Sequence, residues 1–183
     1  MTTDFICREV LRLKKKYHET DLLRLCNAMG ILILREPMGI FDGACKGFFL
    51  IQSRKKAIVI NCDLPEAVQR IILAHELGHA VLHARKTGLN AFHDFCLFDP
   101  ASIWEYEANI FAAEFLLEDG SVLEHINEDA SFFEIAAMLN VPPELLDFKF
   151  KLMRERGYDL SESPLAANGD FLKNMNTGSA DQY

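Results

Sequence analysis

Between Asp4 and Tyr17 the apolar residues Phe5, Ile6, Val10, Leu11 and Leu13 recur at the spacing of one helical face, and Thr20 to Met29 repeats the pattern before Gly30. The period then changes. Ile31–Arg35, Gly47–Gln52 and Ala57–Asn61 are short runs rich in Ile, Val and Phe, separated by Gly, Ser and Lys, and they predict a small sheet of three strands. Pro65 suits the first turn of a helix that runs through Ile71, Ile72 and Leu73 to about Arg85, before Gly88. A loop to Phe98 follows, then a helix opening near Asp99–Ser102 and ending at Glu118, and two shorter helices over Ser131–Leu139 and Pro143–Arg156.

This pattern predicts an α+β fold with no internal repeat. Residues 1–118 read as the main domain, 119–160 as a helical segment packed on it, and 161–183, rich in Ser, Asn, Gly and Asp, as a flexible tail. Composition agrees with a folded chain: of 183 residues, 50% are hydrophobic and 25% charged. The net charge of -8 works against nonspecific attraction to nucleic acid or to an anionic membrane, and only Arg8–Lys16 gathers cations. The five cysteines form no C-x-x-C pair, as expected of free thiols in a reducing cytoplasm, and no apolar run approaches the roughly 18 residues of a membrane span.

The third predicted helix changes the picture. It carries His75, Glu76, Leu77, Gly78 and His79, a histidine-glutamate-two residues-histidine motif. Residues four apart on a helix lie one above the other, so two imidazoles can each reach one zinc ion at about 2.0 to 2.1 Å. Glu76, one step round the helix, is placed to take a proton from an attacking water, the general-base role in metallopeptidases. The plain alternative is a polar helix side, but "QRIILA" precedes His75, and an unpaired imidazole on an apolar stretch is costly.

A catalytic zinc needs a third protein ligand and an open fourth position. Arg85 occupies the place of a third histidine in the extended motif, so the ligand must lie further on. In "EYEANIFAAEFLLE" a helical wheel groups Glu105, Ala108, Asn109, Ala112, Phe115 and Leu116 on one side and Glu107, Glu114 and Glu118 on the other. Glu105 is the candidate ligand, with Glu107 as the fallback. Alanines beside Glu105 allow a close approach to the histidine helix, and Asn109 can fix one imidazole. A capping role for Glu105 through Ser102 competes, although Asp99-Pro100 is a better helix start. His83 has the wrong spacing for a ligand and reads as cleft wall or as support for a ligand. His93 and Tyr106 are possible oxyanion partners and receive no role.

"HELGHAVLH", "EYEANIFAAEFLL" and the strand "AIVIN" together resemble the ImmA/IrrE family of zinc-dependent metallo-endopeptidases, over about residues 20–118. The resemblance implies a zincin-like fold with one zinc per chain, held by His75, His79 and Glu105, with Glu76 as general base and Asn109 supporting the ligands. It also implies a protein substrate, a helix-turn-helix repressor whose cleavage relieves repression. Where the family often closes its second motif with proline, this chain has "LLED" at Leu116–Asp119, which leaves the path of the next segment open. The separate N-terminal DNA-binding domain of some relatives is not expected here.

Two other functions fit parts of the sequence. Phe133–Arg156 looks like a helix-turn-helix across "LNVPP", but its acids and bases balance, whereas a phosphate-binding surface needs excess cations. A noncatalytic zinc protein that sequesters its repressor is the other; a closed structural site would commonly use cysteines, and none lies in either motif. Oligomeric state leaves no mark on the sequence.

Overall fold

The computed structural model describes residues 1–84, 103–127, 130–160 and 162–165. The expected loop to Phe98, the helix start at Asp99–Ser102, His93, and most of the tail from Ser161 lie outside the described residues. Helix α1 (Thr3–Tyr17) and helix α2 (Leu22–Ala28) open the fold, each started by a side chain that accepts a backbone N–H, Thr2 and Asp21 respectively. Gly30, at φ +70°, turns the chain out of α2 into the sheet.

Strands β1 (Ile31–Glu36), β2 (Gly47–Gln52) and β3 (Lys55–Asn61) form one sheet in the order β1-β3-β2, with β1 parallel and β2 antiparallel to β3. The β2–β3 hairpin closes through Ser53 and Arg54, both at positive φ, the geometry that matches the twist of paired strands. Asn61, fully buried, ties the β1–β2 connection down: its side chain accepts from the Met38 and Asp63 N–H groups and donates to the Gly39 and Cys45 carbonyls.

Helix α3 (Glu66–Leu82) follows Pro65 and lies across the sheet, ending three residues before the expected Arg85. Helix α4 (Ile103–Leu116) packs along it. A Cβ on Gly78 would stand 3.2 Å from Ala108 Cα and 3.3 Å from its carbonyl oxygen, so the two backbones meet there. Gly47 serves the same end between sheet and helix, since a Cβ on it would fall 2.5 Å from Ile72 Cγ2.

Of the wheel's second face only Glu118, past the end of α4, is wet. Glu107 and Glu114 are buried, because α1, α3 and α7 (Pro143–Glu155) surround the helix. Glu114 pairs with Lys149 and Arg156, and Asp119 with the same two cations. Asp119 opens helix α5 (Asp119–Asn127), which the sequence pattern did not predict, and this is where "LLED" leads. Helix α6 (Phe132–Met138) begins with a reciprocal Ser131–Glu134 capping box. The helix-turn-helix lookalike of α6 and α7 does not present its second helix: Leu145 to Phe150, Leu152 and Met153 are all buried. Among the described residues no helix is long and apolar enough to cross a membrane.

Candidate metal centre

Two helices and one strand edge build the site. From α3, His75 and His79 project one turn apart on the side facing α4, and their Nε2 atoms are 3.0 Å from each other. From α4, Glu105 brings Oε2 to 3.2 Å from His75 Nε2 and Oε1 to 3.4 Å from His79 Nε2. One ligand atom from each of the three lies within 4.8 Å of the others, a span that a single cation can bridge. Both histidines are buried, while the Glu105 side chain keeps 20% of its exposure, so the cluster opens toward solvent on that side.

The electrostatics follow from this crowding. Burial by itself pushes the Glu105 carboxyl up, but its hydrogen bonds to His75 and His79, together with their charges, outweigh burial and hold it well below the usual carboxylate range. Burial lowers the His75 imidazole, and Glu105, Glu76 and Asn109 more than restore it, leaving it raised. Two imidazoles and one carboxylate that converge on one point form a set of donors able to hold a cation. Nitrogen and carboxylate oxygen at these positions match a catalytic zinc site with three protein ligands.

Glu76 stands apart from the three. Burial pushes its carboxyl up, His79 and His75 pull it down, Glu105 raises it, and the Phe49 backbone N–H lowers it by hydrogen bonding. Its Oε2 atom is buried and has no hydrogen-bond partner among the described residues. A buried, unpartnered carboxylate oxygen beside a metal-type cluster is unfavourable unless a reactant meets it.

The other nitrogens of the two imidazoles are also engaged. His75 Nδ1 lies 2.8 Å from Asn109 Oδ1, the placement expected for Asn109. His79 Nδ1 lies 3.0 Å from His83 Nδ1, and His83 Nε2 lies 2.9 Å from Glu107 Oε2. His83 therefore touches a candidate ligand without joining the cluster, whereas Glu107, the fallback ligand, points at His83 instead. The other Glu107 oxygen meets the Met1 amino group. Trp104 stacks on the His83 ring at 5.6 Å and 21°. Tyr106 packs edge-on against Phe148. The sequence holds no signal for the Phe49 N–H in a strand pattern, and it offers Glu107 only as the fallback ligand, because two residues from Glu105 and from Asn109 it falls on neither one's side of the helix.

Comparison with known proteins agrees with this geometry. Residues 26–151 match the peptidase M78 family, described as the IrrE N-terminal-like domain. The chain is 36% identical over 140 residues to "Uncharacterized immunity region protein 2" of Bacillus phage phi105, covering 76% of this chain and 85% of that protein. It is 31% identical over 155 residues to "Metallopeptidase ImmA" of Bacillus subtilis (strain 168), covering 81% of this chain and 85% of the relative. The match spans the sheet, both helices of the cluster and the helices after them, so this chain belongs to the ImmA/IrrE family of metallopeptidases and has its α+β, zincin-like fold.

Proposed function

We propose that the chain is a zinc-dependent endopeptidase that hydrolyses a peptide bond in a helix-turn-helix transcriptional repressor in the cytoplasm, relieving repression. The observation that carries the reading is the juxtaposition of the His75, His79 and Glu105 donors with the unpartnered, buried Oε2 of Glu76. The repressor as substrate rests on the family resemblance, with support from one relative named an immunity region protein and another named a metallopeptidase.

His75, His79 and Glu105 would hold one zinc ion, which when bound acidifies water and polarises a carbonyl. Glu76 takes the proton of the attacking water at its carboxylate; the raised affinity for a proton that burial gives it suits a base working near neutral pH. The same carboxyl can then hand that proton to the departing amine. Asn109 accepts from His75 and holds that ring in place. His83 does the same for the other ring from the far side.

The substrate segment lies along β2. Asn61 donates its backbone N–H to the Lys46 carbonyl, and the antiparallel register then pairs Phe48 with Val59 and Leu50 with Ala57 through hydrogen bonds. Gly47, Phe49 and Ile51 consequently turn their backbone groups to the outer edge; the Phe49 N–H is taken by Glu76, and an extended peptide can add as a strand on the remaining groups.

Co-expression with the repressor encoded beside the gene tests the reading. Wild type is expected to yield two repressor fragments and derepression, and Glu76→Gln neither. Derepression by both forms with the repressor intact would replace cleavage by sequestration.

A further inference from the structure

Resting on the zinc reading above, we infer that Glu107 is a positioning residue for the metal centre, acting through His83 on His79. The three side chains form one buried line: His79 Nδ1 to His83 Nδ1 at 3.0 Å, then His83 Nε2 to Glu107 Oε2 at 2.9 Å. His83 and Glu107 are 1% and 4% exposed as side chains, so neither is solvated in place of this contact.

The protons along the line have one self-consistent arrangement. His79 directs Nε2 into the cluster with His75 and Glu105, and an imidazole that gives its Nε2 lone pair to a cation carries its proton on Nδ1. That Nδ1–H donates to His83 Nδ1, which must then be the bare nitrogen. A neutral His83 with a bare Nδ1 is protonated on Nε2, and that N–H donates to the Glu107 carboxylate. Each contact has one donor and one acceptor. Moving the His83 proton to Nδ1 would set two N–H groups against each other at one end and two lone pairs at the other.

The two ligand histidines are thus backed differently. His75 is held by the neutral amide of Asn109, and His79 by a neutral imidazole that is itself held by an anion. A carboxylate behind a histidine ligand fixes its tautomer and strengthens it as a donor. Here the carboxylate acts one residue further back. Trp104, stacked on His83, keeps the intermediate ring in the plane the line needs. Helix α4 therefore addresses the site at three alternate positions: Glu105 in the cluster, Asn109 behind His75, and Glu107 behind His83.

The test is zinc affinity at fixed pH, by competition with a chromophoric chelator, for wild type, Glu107→Gln and Glu107→Leu. Thermal unfolding of each metal-free protein and imidazole nitrogen NMR of the zinc-loaded wild type complete it. Leucine removes the acceptor and is expected to weaken zinc binding about 10- to 100-fold, the usual effect of losing an outer hydrogen-bond partner, with glutamine in between because it keeps an acceptor and loses the charge. His83 is expected to be protonated on Nε2 and His79 on Nδ1. A purely structural Glu107 would change the unfolding temperature and leave zinc affinity as in wild type, which overturns the proposal; so does a His83 protonated on Nδ1. If Glu107→Leu does not fold, Glu107→Gln and the tautomer decide. Wild type that takes up no zinc would remove the metal reading and this one together, whereas normal uptake by every variant removes this one alone.

Discussion

Gly78 sits between the two cluster histidines, at the point where α3 and α4 touch. Alanine there gains about 1 kcal/mol of helix propensity in an ordinary exposed position. Here its Cβ would meet Ala108 Cα and Phe111 Cβ at 3.2 Å, and backbone cannot step aside as a flexible side chain can. Gly78→Ala is therefore expected to lose about 1 kcal/mol net, the steric cost exceeding the propensity gain, as chemical denaturation would show. Because α4 carries Glu105 and Asn109, zinc affinity should fall with it. Unchanged stability and affinity would mean that the seam is looser than its distances indicate. At this scale much of the site was legible. His75, Glu76 and His79 follow from spacing on one helix, and Glu105 and Asn109 from their shared face on the next. Glu107 was not, because the wheel separates two faces only when one of them is wet. The partners that let Glu107 and Glu114 be buried, His83 for one and Lys149 and Arg156 for the other, stand 24, 35 and 42 residues away. No single segment displays such a pairing.

Strand β2 shows what an element adds to its residues. Its limits, Gly47 to Gln52, are those the apolar run predicts, yet its edge position and register depend on β1 and β3 and lie beyond any local pattern. The register makes a selective substitution possible. Ile51 turns its N–H to the free edge, so proline there removes one outward donor without removing a bond to β3. Ile51→Pro is expected to keep zinc uptake, to unfold somewhat earlier because the half-buried isoleucine is lost, and to cut repressor cleavage at least tenfold, read from fragment formation in the co-expression assay. Cleavage at the wild-type rate would remove strand addition from the mechanism and leave the metal centre as it is. Helix α5 is the contrary case, an element the pattern missed. "DGSVLEHIN" has Gly120 in its first turn and only three apolar residues, Val122, Leu123 and Ile126, too few to mark a helix by themselves. Asp119 is bound to Lys149 on α7 and to Arg156 just past its end, so tertiary contacts anchor its start where the local sequence gives little support.

Across the whole molecule, one set of buried ionisable groups couples chemistry to stability. His75, Glu76 and His79 are buried between sheet and helices, and the metal-free protein has to keep them there. Zinc binding to the folded state alone stabilises it by about 4 kcal/mol when free zinc exceeds the dissociation constant by roughly a thousandfold. For a chain of this size each kcal/mol moves the midpoint by about 2 to 4 °C, so stripping zinc with a chelator should lower Tm by roughly 10 °C. Two substitutions separate ligand from base. His79→Gln removes a donor, and its Tm should respond little to zinc or chelator. Glu76→Gln leaves all three donors in place, so its zinc-dependent rise should match that of wild type even though cleavage is abolished. Its metal-free form should be no less stable than wild type, because a neutral amide replaces a carboxyl that burial already drives toward its neutral form. A Glu76→Gln protein that lost its thermal response to zinc would place Glu76 among the ligands and leave the proton transfer without its base.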